Sequence, residues 1–288
     1  YGDSDSQQAP HVTLIQDGGP EGNQSDMVLD RLSFGFRGDR VWADFGRKTL
    51  PFWKPHELLW DDDAYLDGGS IGYQATIRET GLESVAGLWA LPDGPDNFDY
   101  PDRSVLAGGQ VKLAHDFGDR GRFTIAAGLL FIEDNSSVFN TTNDDIDYAI
   151  NALDVQHQLR IGNRPLTLGA TYFHNFDEGP AADPTRGDTD GYVLYGYLGK
   201  VAEKGDWLVG YYYSDIEKYA VARYFAQDDW TRFGSAAQTR SSDFRGHEIR
   251  VAHALADNLN LVLRSYFVDT ISNRENGNRV RLDLNFKF

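Results

Sequence analysis

The segment Gly277–Phe288, GNRVRLDLNFKF, carries two surfaces in one strand. Val280, Leu282, Leu284, Phe286 and Phe288 take every second place, and Arg279, Arg281, Asp283, Asn285 and Lys287 fill the places between. Strand side chains alternate between faces, so this pattern predicts one apolar and one charged surface. The same period recurs back along the chain. Leu32, Phe34 and Phe36 alternate with Arg31, Ser33, Gly35 and Arg37, and Val41, Ala43 and Phe45 with Trp42, Asp44 and Gly46. Ile71 to Ile77, a weaker Leu82 to Leu91, Val105 to Leu113, Phe123 to Phe131, Leu153 to Ile161 and Leu166 to Tyr172 follow. Ile249 to Val251 and Leu259 to Phe267 precede the closing strand. The aromatic stretches GYVLYGYLGKV and DWLVGYYYSDI add two strands whose facing the pattern leaves open. The reading yields roughly thirteen strands of about ten residues, the length at which a tilted strand crosses a bilayer.

The joins alternate in length. Short ones fall at Gly38-Asp39, Glu79–Gly81, Phe117–Arg120, Gly162-Asn163, Ala202–Gly205 and Ala256–Asn258. Long ones fall at Thr49–Gly69, Pro92–Arg103, Glu133–Asp145, Asp177–Asp190 and Asp215–Ser242, with a moderate one at Ser272–Asn278. A soluble sandwich alternates as cleanly but has no reason to gather its long loops at one end. A soluble barrel would turn its apolar face inward. The pattern therefore predicts an all-β fold, an antiparallel transmembrane up-and-down β-barrel with short periplasmic turns and long extracellular loops.

Composition narrows the functional classes. The 288 residues carry a net charge of −17, from 27 Lys and Arg against 44 Asp and Glu, which argues against a nucleic-acid partner. There is no cysteine, so thiol catalysis, disulfides and Cys-ligated zinc are excluded. The 15 Tyr, 17 Phe and 30 Gly suit strands and turns. The longest apolar run, Ile125–Ile132, is far short of a membrane helix. The opening YGDSDSQQAP has neither the basic start nor the apolar core of a signal peptide. Either that peptide has been removed or the polypeptide starts further upstream.

Even strand counts keep both barrel ends in the periplasm. Counting back from the last strand, the strand at Leu32 runs toward the periplasm, which makes residues 1–25 of this single barrel domain an external loop. Such a loop needs a strand before it, so the expectation is a barrel of 14–16 strands with N-terminal strands outside this chain. His11–Gln16 closing the barrel as a short strand is the alternative.

The stretch GRKTLPFWKPHELLWDDDAYLDGGSIGY resembles a porin family of Gram-negative outer-membrane β-barrels, through Gly46, Arg47, Pro51, Phe52, Leu58, Leu59, Trp60, Asp61, Asp62 and Asp63. The opening GDSDS is similar to a loop of that family. SDFRGHEIRVAHALADNLNLVLRSYF and RVRLDLNFKF are similar to its closing strands. The resemblance implies an outer-membrane location and a terminal strand, ending at Phe288, that is read by the barrel-assembly machinery. A homotrimer is an analogy with other wide porins.

The polar stripes predict a lumen lined by Arg31, Arg37, Asp44, Lys48, Arg78, Lys112, Arg122, Asp154, Arg160, Glu248, Arg250, Arg264, Arg279, Arg281, Asp283 and Lys287. Basic residues outnumber acidic ones in this set, so a weak anion preference is expected unless loop carboxylates pair with the arginines. The loops around Trp60 and around Tyr224 to Arg240 are expected to fold inward as constrictions. The loop acids Asp61, Asp62, Asp63, Asp93 to Asp102, Asp144, Asp145, Asp147, Asp228 and Asp229 suggest a solvated rim. The sharper alternative is calcium held by these oxygens or between them and lipopolysaccharide phosphates. Tyr192–Tyr197 and Trp207–Tyr213 fit interfacial girdles better than a sugar platform.

Three functional classes remain. The first is passive or weakly selective diffusion of small hydrophilic solutes through a water-filled pore, in contact with outer-membrane lipid and lipopolysaccharide and without a cofactor. The second is a structural sheath around a partner. The third is an outer-membrane hydrolase, for which His157, His174, His247 and His253 are the candidates; the segment HNFDE at His174–Glu178 lacks an identifiable serine partner.

Overall fold

The computed structural model describes residues 31–62, 64–91, 105–133, 146–223, 225–227, 229–231, 241–272 and 275–287. Thirteen strands occupy most of them: β1 (Leu32–Arg37), β2 (Val41–Thr49), β3 (Tyr65–Ile77), β4 (Thr80–Ala90), β5 (Val105–Asp116), β6 (Arg122–Glu133), β7 (Tyr148–Ile161), β8 (Arg164–Asn175), β9 (Asp190–Gly199), β10 (Trp207–Ile216), β11 (Phe244–Ala256), β12 (Leu259–Thr270) and β13 (Asn276–Phe286). A 3-10 turn, Gly118–Arg120, stands between β5 and β6. Every strand pairs antiparallel with its neighbours in sequence, in one sheet ordered from β1 to β13. All thirteen strands expected from the periodicity are present. Among the described residues β1 and β13 remain the two edges, so the sheet is open. Residues 1–30 and Phe288 lie outside the described residues, and with them the expected first loop, the His11–Gln16 strand and the terminal aromatic.

The two faces differ as the alternation predicts. In β6 Phe123, Ile125, Leu129 and Phe131 are exposed, while Thr124, Ala126, Leu130 and Ile132 between them are buried. Exposed Leu32, Phe34, Phe45, Ile71, Leu88, Leu168, Leu194, Val209, Ile249, Leu263, Val280, Leu282 and Leu284 carry that apolar surface around the sheet. The opposite face buries Asp44, Gln110, Thr124, Asp154, Gln156, Thr171 and Glu248. Apolar outside and polar inside is the arrangement of a sheet whose outer face meets lipid.

One expectation needs correcting. The inner face is not polar from end to end. Toward the long-loop end its positions are Trp89, Leu106, Leu130, Ile132, Tyr148, Ile150, Phe173, Val193, Ile216, Phe244 and Val268, all buried. They form one cluster with Leu58, Leu59, Trp60, Tyr219, Val221, Phe225 and Trp230 from the loops. Loop side chains supply an apolar partner there. β3 also starts at Tyr65, which shortens the expected Thr49–Gly69 loop.

Inward aromatics need space on the neighbouring strand. Tyr195 lies directly across from Gly169, where a Cβ would come within 2.2 Å of its ring. Trp42 lies across Gly72 in the same way, at 2.1 Å. Glycine cedes its side-chain volume to the aromatic opposite.

Replacing outward Leu129 by Arg is expected to destabilise the folded protein in lipid by about 2–4 kcal/mol, the cost of a cation near the bilayer midplane. Arg at inward, exposed Gln158 is expected to cost far less. Urea unfolding in vesicles followed by electrophoretic mobility measures the difference.

Candidate functional site

The polar interior is crossed by two loops. The first, residues 50–64, leaves β2 and runs over the inner face. Trp53 N–H donates to Gln110 Oε1 at 2.7 Å, and Gln110 Nε2 donates back to the Trp53 carbonyl at 3.0 Å. Further along, His56 Nε2 lies 2.9 Å from Thr171 Oγ1, and Thr171 donates to Asp154 Oδ1 at 2.6 Å. Leu58 N–H donates to His56 Nδ1 at 3.3 Å, so Nε2 carries the proton. His56 also packs edge-on against Phe173 and Tyr195. The hydroxyl proton of Thr171 goes to Asp154 and not to the imidazole. The relay anchors the first loop to β7 and β8.

The second loop, described at residues 217–223, 225–227, 229–231 and 241–243, meets the first. Asp61 N–H donates to the Phe225 carbonyl at 2.6 Å, and Gln227 N–H to the Glu57 carbonyl at 3.0 Å. Gln227 Nε2 reaches Glu57 Oε2 at 3.0 Å. The rings of Trp60 and Phe225 stack at 4.7 Å and 6°. Trp230 packs on Phe244 and Tyr266 beyond this junction. The two loops form a bridge from β5–β9 to β11–β13. Of the second loop expected to constrict the lumen, Tyr224 to Arg240, residues 224, 228 and 232–240 lie outside the described residues.

The charged groups of the inner face are largely paired. Asp44 is held by Arg37 and Lys48, both at 2.8 Å, and Lys112 meets Glu83 at 2.7 Å. Arg250, Arg264 and Arg281 are direct cross-strand partners on β11, β12 and β13. Like charges in facing positions repel, so this row requires counter-charge. Glu248 meets Arg250 at 2.7 Å, and Asp283 meets Arg281 at 2.7 Å and Arg264 at 3.8 Å. Asp229 of the second loop supplies the rest. Its carboxylate is bound by Arg281, by Arg264 at 3.3 Å and by Arg279 at 3.2 Å, and its carbonyl accepts from Arg279 at 2.7 Å. The Asp229 side chain is 5% exposed.

The remaining expected residues are placed as follows. Arg122 and Arg160 stand on the polar face at the short-turn end, both exposed. Arg31 precedes β1 with its guanidinium 5.2 Å from the Tyr65 ring, and the Lys287 N–H, after β13, bonds to Asn258. Arg78 occupies the β3–β4 turn with a φ of 54°, outside any strand. Asp61 is buried inside the bridge, not on an outer rim; Asp62 is exposed and pairs with Lys54 at 2.6 Å. Asp63, Asp93 to Asp102, Asp144, Asp145 and Asp228 lie outside the described residues. Among the described residues no group of three acidic or histidine side chains is placed to hold a metal ion.

The aromatic stretches divide by register. Tyr195 and Tyr212 face inward and stack at 5.8 Å, with Arg250 over the Tyr212 ring at 4.8 Å. Tyr192, Tyr211 and Tyr213 face outward, where Tyr211 and Tyr213 contact His247. His157, His174 and His253 also lie on the outward face, each bonded to a carbonyl or carboxylate of a neighbouring segment. His56, Glu57, Gln110 and Thr171 contribute to the bridge without being expected to, and Asp229, expected as a rim acid, joins it. The facing arginines carry the one sequence signal for Asp229, because such a row demands an acid from elsewhere.

No family model and no curated protein sequence matches the chain. Among solved structures it is similar to Acinetobacter baumannii OccAB1, at 10% identity and a TM-score of 0.49, over 85% of this chain and 63% of that one. The chain thus spans less than two thirds of OccAB1. It is also similar to a BenF-like porin from Pseudomonas fluorescens Pf-5, at 13% identity and a TM-score of 0.43, over 88% of this chain and 76% of that one.

Two bridge residues titrate abnormally. Burial, with Lys54 and Arg250 nearby, depresses the His56 pKa from 6.5 to about 3. Burial, with Asp61 and Asp62 nearby, raises the Glu57 carboxyl from 4.5 to about 7. An undocked His56 takes up a proton that the docked ring refuses, so docking weakens as pH falls from 6.5 toward 3. A docked Glu57 keeps a proton that the undocked one loses, so docking weakens as pH rises from 4.5 toward 7. Between 4.5 and 6.5 the opposing proton uptakes cancel. Hydrogen-exchange protection at Asp61 and Gln227, corrected for intrinsic rates, should plateau in that window and fall below it. His56→Gln should abolish the acid limb. Thr171→Val should lower protection at all pH values by about 1–3 kcal/mol, the cost of leaving buried Asp154 without its donor.

Proposed function

We propose that this chain is an outer-membrane porin of a Gram-negative bacterium, giving passive or weakly selective diffusion of small hydrophilic solutes through a water-filled lumen. The observation that carries this reading is the inverted sheet: apolar side chains outside, charged and polar ones inside, narrowed by two inward loops. The exposed inner positions at the short-turn end, among them Gln158, Arg122 and Arg160, are the wet half of the passage. On the β11–β13 row Glu248, Asp229 and Asp283 match all but one of the charges of Arg250, Arg264, Arg279 and Arg281, and that one excess positive charge gives a weak preference for anions. No chemical step is involved.

Both sheet edges need partners in hydrocarbon, so further strands complete a barrel of fourteen or sixteen. The long loops face outward toward lipopolysaccharide, and the C-terminal strand is the segment read during assembly. A trimer of such barrels is in keeping with other wide pores. The second reading, a sheath around a partner, is favoured by one observation: the loop bridge and its apolar cluster fill the long-loop half of the interior.

Planar-bilayer recording across a salt gradient tests both. Steady single-channel conductance with an anion-selective reversal potential is expected. Clear cation selectivity would remove the role given to the arginines. A folded but silent protein would overturn diffusion and leave the sheath.

A further inference from the structure

We infer that Asp229 is an internal counter-anion that latches the second loop onto the arginine row, and that a small oxyanion entering the lumen competes for the same guanidinium groups and releases that loop. The inference rests on the aqueous lumen proposed above. Its basis is the origin of the counter-charges. Glu248 and Asp283 come from the same strands as the arginines and move with them. Asp229 comes from a loop, yet it is bound by three guanidinium groups from two strands. Arg279 spans both carboxylate and backbone of Asp229, which orients the loop as well as neutralising it.

An oxyanion presents the same acceptor geometry as this carboxylate, and guanidinium forks bind either. Only one can occupy the cluster at a time. Binding of one therefore weakens the other by the same factor. Release of Asp229 frees the Gln227–Glu57 and Asp61–Phe225 bonds to open, because they lie on the same loop segment. The bridge would then part at its junction, and the passage would widen in response to the anion it admits. No new charge needs burying, since the arriving anion replaces the departing one.

Limited trypsin digestion of the purified, detergent-folded full-length protein tests the latch. Lys218 and Arg223 lie on the second loop, and Arg223 is buried in the docked state. Inorganic phosphate, at ionic strength matched with sodium chloride, is expected to speed cleavage at Arg223 several-fold in the wild type. Asp229→Asn should be cleaved rapidly without phosphate and show no further response. Arg279→Gln, which keeps the carboxylate but removes its widest contact, should give an intermediate rate and a weaker response. Equal wild-type rates with and without phosphate would overturn the latch, as would an Asp229→Asn protein protected like the wild type. Bilayer conductance of the same samples separates the two readings. Phosphate-dependent cleavage in a non-conducting protein would refute the porin and keep the latch. Conduction with phosphate-independent cleavage would do the reverse.

Discussion

In hydrocarbon, only another piece of backbone can satisfy a strand's N–H and carbonyl groups. That constraint organises the whole molecule. It accounts for the uninterrupted neighbour pairing from β1 to β13 and for the absence of crossovers among the described residues. It also removes the usual demand on side chains. Because lipid accepts apolar groups on the outside, the interior need not be a conventional core, and the concave face is left for charge, water and loops.

The interior is nevertheless not uniform. Water-exposed charge occupies the short-turn end, while the long-loop end is filled by a cluster to which the loops contribute Trp60, Phe225 and Trp230. The loops are held by three different kinds of contact. Hydrogen bonds to Gln110 and Thr171 fasten one side, aromatic stacking joins the middle, and ion pairs to the arginine row fasten the other. Charged partners are costly to bury singly and are tolerated here because nearly every one is matched.

What the sequence disclosed follows the range of the signal. Alternation is local, so all thirteen strands were legible, down to the weak one around Leu82. The facing of Tyr192–Tyr197 was not, because tyrosines occur on both parities of that stretch and lipid and lumen both accept them. Gly169 settles the question for Tyr195 only once the strands are in register. Arg264 and Arg281 could be assigned to the polar face, but their exact apposition depends on pairing offsets that periodicity does not encode. Asp61 and Asp229 looked like rim acids, since nothing near them in sequence announces the cations across the lumen. Arg78 was carried onto a strand by parity alone, and the turn begins one residue earlier than the pattern suggests.

The contact between Glu57 and Gln227 joins positions 170 residues apart, whereas strand pairing needs only adjacent hairpins. In a free chain, closing such a loop costs about 4–5 kcal/mol of entropy. Here the curled sheet has already brought the two segments together, so the cost is met before they touch. The bridge therefore forms last along any route that builds the sheet hairpin by hairpin. Its appearance marks the moment when the whole sheet has acquired its final curvature, and a chain arrested earlier would present a wide, unbridged interior.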